Sequence, residues 1–161
     1  MKTENRNNGA QLDRWAFLWL AIGAVLVTFS VGYLRITLAA WLAPVFLIRF
    51  MRSRSAGRGF LWILLALLIP NAIAWRFLMD MSSFSPLATM IIFIPIFALL
   101  YSIPYLIDRL LSYRLPGFAA TLVFPLASAM FDFLFTKGDP TGSFGLWPNA
   151  LYSSPVLMQM V

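Results

Sequence analysis

Leu87-Ala88-Thr89-Met90-Ile91-Ile92-Phe93-Ile94-Pro95-Ile96-Phe97-Ala98-Leu99-Leu100-Tyr101-Ser102-Ile103-Pro104-Tyr105-Leu106-Ile107 carries no charge along its whole length. A helix that crosses a bilayer needs about 20 predominantly apolar residues, and this stretch supplies them. Working outward, comparable blocks lie at 15–34, 36–51, 60–79 and 117–136. Between them stand Arg35, the run Arg52, Arg54 and Arg58 (with Arg49 just inside the second block), and the pair Arg109 and Arg114. Residues 1–14 are polar and read as a cytoplasmic tail, so the helical domain runs over about 15–137. Residues 138–161 read as an extracytoplasmic loop, rich in Gly, Pro, Ser and Asn, followed by the start of a truncated sixth helix.

The composition agrees. Of the 161 residues, 61% are hydrophobic and 11% charged, against about 45–50% and about 25% in ordinary globular domains. That excludes disordered and collagen-like chains. With no Cys and no His, the chain holds no thiol nucleophile, disulfide or imidazole base, and lacks the usual zinc and haem ligands. No cofactor is expected. The net charge of +6 does not point to nucleic acid, because the cations flank apolar blocks instead of forming one basic face.

Charge also sets the expected topology. With five crossings and the N-terminus inside, Lys2, Arg6, Arg14, Arg49, Arg52, Arg54, Arg58, Arg109 and Arg114 face the cytoplasm, while Arg35, Arg76 and Lys137 face out. Nine against three satisfies the positive-inside rule. The second block is short for a crossing, and a re-entrant hairpin is the alternative, but that would divide the cations far more evenly. Snorkelling arginines and local bilayer thinning cover the deficit. The first block exceeds the 7–15-residue core of about the usual signal peptide, so it reads as a span. The expected fold is therefore an all-α membrane protein, a polytopic bundle of about five transmembrane helices with the N-terminus cytoplasmic.

Asp132 is the leading candidate for chemistry. Thr121, Pro125, Ser128, Asp132 and Thr136 recur at helical spacing and share one face of the fifth helix. A carboxylate facing acyl chains costs about 2.5–3.5 kcal/mol on insertion scales. Two readings follow: Asp132 and Ser128 line a polar interior, or Asp132 lies near the outer headgroups and hydrates there. Arg76 with Asp80, and Asp108 with Arg109, read as interfacial pairs worth a few tenths of a kcal/mol. Pro70, Pro95 and Pro104 interrupt helical hydrogen bonds, and Asn71 is placed to satisfy the carbonyl freed by Pro70. Trp and Tyr at block ends, among them Trp15, Trp19, Tyr101, Tyr105 and Tyr113, read as an interfacial belt. In the outer loop, Trp147, Asn149 and Tyr152 are candidates for lining a lipid or substrate opening.

Thr121-Leu122-Val123-Phe124-Pro125-Leu126-Ala127, Phe131-Asp132-Phe133-Leu134, Phe144-Gly145-Leu146-Trp147, Ala150-Leu151-Tyr152-Ser153 and Pro155-Val156-Leu157-Met158-Gln159 together resemble the bacterial apolipoprotein N-acyltransferases. Thr28-Phe29-Ser30 with Trp41-Leu42-Ala43-Pro44 resembles that family's first hairpin. The resemblance implies the membrane domain of an inner-membrane enzyme that acylates lipoproteins from a phospholipid donor, so membrane lipids, that acyl donor and a lipoprotein are the implied partners. The family's nitrilase-like (carbon-nitrogen hydrolase) domain works with a Glu-Lys-Cys set, none of which can be placed here. The resemblance thus implies a fragment or degenerate form without catalytic competence of its own. The alternatives are a small membrane scaffold or assembly subunit, or a transport component using Asp132.

Overall fold

The computed structural model describes residues 15–30, 36–74, 85 and 89–138, and all regular structure among them is helical. The helices are α1 (Ala16–Ser30), α2 (Thr37–Arg52), α3 (Ala56–Ala74), α4 (Ile94–Leu111), which follows a π-helical turn at Thr89–Phe93, and α5 (Ala119–Gly138). Three stretches are long and apolar enough to cross a membrane: Ala56–Ile73, Met90–Leu111 and Ala119–Lys137. Ala16–Ser30 is apolar but shorter. α2, at 16 residues, covers about 24 Å at ~1.5 Å per residue.

Helix ends overrun the apolar blocks where those blocks meet charge. α3 begins at Ala56, before Arg58, and α4 runs through Asp108 and Arg109 to Leu111. A cation in a last turn is favoured by the helix dipole, so Arg109 ends the hydrophobic run without ending α4. Arg49 and Arg52 occupy the last turn of α2 in the same way.

Consecutive helices alternate in direction. Phe17 of α1 meets Phe50 near the end of α2, Trp19 stacks on Phe46, and Gly23 meets Leu47. Phe17 also meets Trp62 near the start of α3. Tyr105 late in α4 packs on Phe124 early in α5, and Phe97 early in α4 packs on Phe135 late in α5. The α2–α3 and α4–α5 turns therefore lie at one end with the beginning of α1.

Each helix buries one narrow stripe. Ala16, Leu20 and Val27 of α1, Ala43, Leu47, Phe50 and Met51 of α2, Ile63 and Leu67 of α3, and Ala98 and Tyr105 of α4 form one continuous core. α5 adds Val123 and Ala127 against α4. The opposite faces are just as apolar: Val25, Trp41, Val45, Leu65, Ile69, Ile92, Leu126, Met130 and Phe133 are all exposed. Helices that are apolar all round belong in a large core or in lipid.

Two local details follow from the sequence. A Cβ on Gly23 would sit 2.6 Å from Leu47 Cδ2, so glycine is what lets α1 and α2 approach closely. Gly117 has φ +56°, the left-handed conformation that glycine adopts without penalty, and it turns the chain from α4 into α5. Pro44, Pro70, Pro104 and Pro125 lie inside helices that continue through them. Pro95 falls where the π-helical turn passes into α4. Asn71 turns its amide back onto α3 but donates to Leu67 O at 2.8 Å, one residue beyond the carbonyl that Pro70 frees.

Candidate functional site

Ser128 and Asp132 lie on α5, both half-buried. α5 meets α4 through an apolar face, Val123, Phe124, Ala127 and Phe135. On the polar stripe of α5, Thr121, Pro125 and Thr136 are exposed while Ser128 and Asp132 are half-buried. Asp132 makes no ion pair among the described residues; its backbone carbonyl accepts from Thr136 Oγ1 at 2.8 Å. Trp147, Asn149 and Tyr152 lie outside the described residues, as do Arg76 and Asp80.

Among the described residues, the densest polar arrangement is at the other end of α5, around Asp108. This carboxylate does not pair with Arg109. It is fully buried, and Arg52 grips both of its oxygens, Nε to Oδ2 at 2.8 Å and Nη2 to Oδ1 at 2.7 Å. The fork geometry of a guanidinium matches a carboxylate in this bidentate way, and such charge-assisted bonds are among the strongest in proteins. Arg52 Nη2 also donates to Ala120 O at 3.3 Å. One side chain of α2 thereby ties the end of α4 to the start of α5. Its bond to Asp108 raises the already high pKa of Arg52 further, against the smaller lowering from burial, so the guanidinium stays charged.

Two neighbouring contacts brace the same corner. Arg109 Nε donates to Arg54 O at 2.9 Å, and its guanidinium lies 4.1 Å from the centroid of the Tyr113 ring. Tyr113 Oη in turn donates to Arg52 O at 3.0 Å. The two basic turns are thus laced together by side chain to backbone bonds. With both oxygens engaged by Arg52, Asp108 is placed to hold helices together.

Tyr105 departs furthest from the interfacial belt expected for it. It is 2% exposed, its ring packs 4.8 Å from Phe124, and its hydroxyl finds no hydrogen-bond partner among the described residues. Ser102, Tyr105 and Asp108 share one buried face of α4, continued by the buried Ser112 that caps the helix. That face was readable: the residues follow at spacings of three, three and four, the same pattern that singles out Asp132 on α5. Nothing comparable in the sequence distinguishes Arg52 from Arg49 or Arg54 as the partner.

No family model, no curated protein and no solved structure matches this chain.

Proposed function

We propose that this is a bacterial inner-membrane protein that crosses the bilayer five times with its N-terminus in the cytoplasm, and that it serves as the lipid-embedded domain of an apolipoprotein N-acyltransferase-like system. The observation that carries the membrane reading is the combination of apolar exposed faces on all five helices with the gathering of Arg49, Arg52, Arg54, Arg58, Arg109 and Arg114 at one end. Alternating helix directions supply the geometry that five crossings need. Positive charge on one side then selects the cytoplasm for that end. The acyltransferase assignment rests on the sequence resemblance around 121–159. In this reading the chain contributes a lipid-facing frame, and the nucleophile, base and oxyanion partner come from a nitrilase-like domain.

The test is to read the coding sequence adjoining this one and then assay it. A domain bearing Glu, Lys and Cys is expected there, and together with this chain it should acylate the N-terminus of a lipoprotein, followed by mass spectrometry. An unrelated neighbour, or acylation indifferent to this chain, would sink the acyltransferase assignment and leave the membrane topology standing.

One observation favours a second reading, an assembly subunit. Ser128 and Asp132 are only half-buried by the described residues, and a carboxylate at that depth is best satisfied by a donor from another helix. Crosslinking from residue 128 should then recover one stoichiometric membrane partner.

A further inference from the structure

We infer that the α1–α3 seam at the arginine-rich end is a binding site for one anionic phospholipid, with its phosphate on Arg54 and Arg58 and an acyl chain lying along α3. The inference rests on the membrane reading above but on neither the direction of insertion nor the acyltransferase assignment.

The charge at this end is unbalanced in a particular way. Among the described residues six arginines gather there, and the one carboxylate, Asp108, is fully taken by Arg52. Arg109 spends its Nε on a backbone carbonyl. Arg54 is different. Its guanidinium sits 4.9 Å from the centroid of the Phe17 ring, while its Nε is shielded from solvent and has no acceptor among the described residues. A shielded donor without an acceptor is uncommon in folded proteins and calls for one. Phosphate oxygens are the natural match for guanidinium donors.

The surface below has the shape of an amphiphile. Phe17, which carries Arg54, also meets Trp62 edge-on at 5.3 Å between centroids, so Arg54 stands at the mouth of the seam between α1 and α3. Arg58, Trp62, Leu65, Ile69 and Ile73 all lie exposed on α3, at spacings of four, three, four and four. Cation, interfacial aromatic and aliphatic side chains therefore follow one another down a single line. From Trp62 to Ile73 that line covers about 16 Å at ~1.5 Å per residue, close to half of a ~30 Å hydrocarbon core. This is the depth of one leaflet, and it is why a phospholipid fits better than a water-soluble phosphate.

The experiment uses the full chain in nanodiscs of phosphatidylcholine with a rising fraction of phosphatidylglycerol, with native mass spectrometry counting retained lipids. Retention of phosphatidylglycerol should saturate at one molecule per chain. Arg54→Gln and Arg58→Gln should each weaken it about fivefold, the ordinary worth of one cation beside an anionic surface, while Arg114→Gln on the other basic turn changes it less than twofold. Equal losses for all three variants would mean diffuse attraction and overturn the site. So would stabilisation by inorganic phosphate or glycerol phosphate equal to that by the lipid. Should Arg54→Gln lower the melting temperature in pure phosphatidylcholine, the exposed Arg58 decides alone. A chain that enters nanodiscs without preferring phosphatidylglycerol defeats only this inference; one that stays in water without lipid or detergent defeats the membrane reading and the site together.

Discussion

Asp108 and Tyr105 stand one helical turn apart on α4 and behave oppositely. Asp108 is a buried charge whose oxygens are both used, whereas Tyr105 is a buried hydroxyl with no partner among the described residues. Removing one member of a buried ion pair strands the other, typically at about 3–5 kcal/mol. Because the Arg52 side chain remains 36% exposed, Asp108→Ala should fall near the low end, about 3 kcal/mol, in thermal unfolding in detergent. The double change Arg52→Met with Asp108→Leu should cost less than Asp108→Ala alone, since no unpaired charge is then left behind. Tyr105→Phe has the reverse sign. Deleting an unsatisfied buried hydroxyl while keeping the ring on Phe124 should stabilise the protein by about 1 kcal/mol, and a loss of stability in that variant would show that the hydroxyl has a partner after all.

Among the helices, α1 and α2 depend most on a single small residue. The Leu47 side chain occupies the space a Cβ on Gly23 would need, so Gly23→Val should destabilise by about 1–3 kcal/mol through overpacking. Shortening the obstacle with Leu47→Ala should make the same valine less damaging, a coupling that a double-mutant cycle on melting temperature would read. Such pairings mark the limit of what the chain discloses one residue at a time. The existence and order of the helices were legible because long uncharged runs have few other uses. Their ends were less so, since Arg58, Asp108 and Arg109 read as terminators yet lie inside helices. On α5 the shared polar face was legible from spacing alone, whereas the side that meets α4 is told only by the burial of Val123 and Ala127 and the contact of Phe124 with Tyr105. The Arg52–Asp108 pair spans 56 residues, and nothing local to either residue encodes it.

The molecule as a whole is constrained by that long-range pair. Arg52 closes α2 and Asp108 lies in the last turn of α4, so the two helices must run in parallel and end at the same level. Between them, one passage through α3 away from that level and one return through α4 are required. Any insertion that put the α2–α3 turn and the α4–α5 turn on opposite sides of a bilayer would separate the guanidinium from the carboxylate by the whole hydrocarbon thickness, about 30 Å. Under the proposed five-crossing topology Arg54 and Arg114 therefore share one compartment, which the positive-inside rule would make the cytoplasm. Alkaline phosphatase, active only outside the cytoplasm, should be silent when fused after Arg54 or after Arg114 and active when fused within 81–86. The re-entrant alternative for the second block predicts that the fusions after Arg54 and at the N-terminus report opposite sides. If the fusions at Arg54 and Arg114 themselves disagreed, the ion pair could not form in the membrane, and the helix order built on it would have to be abandoned.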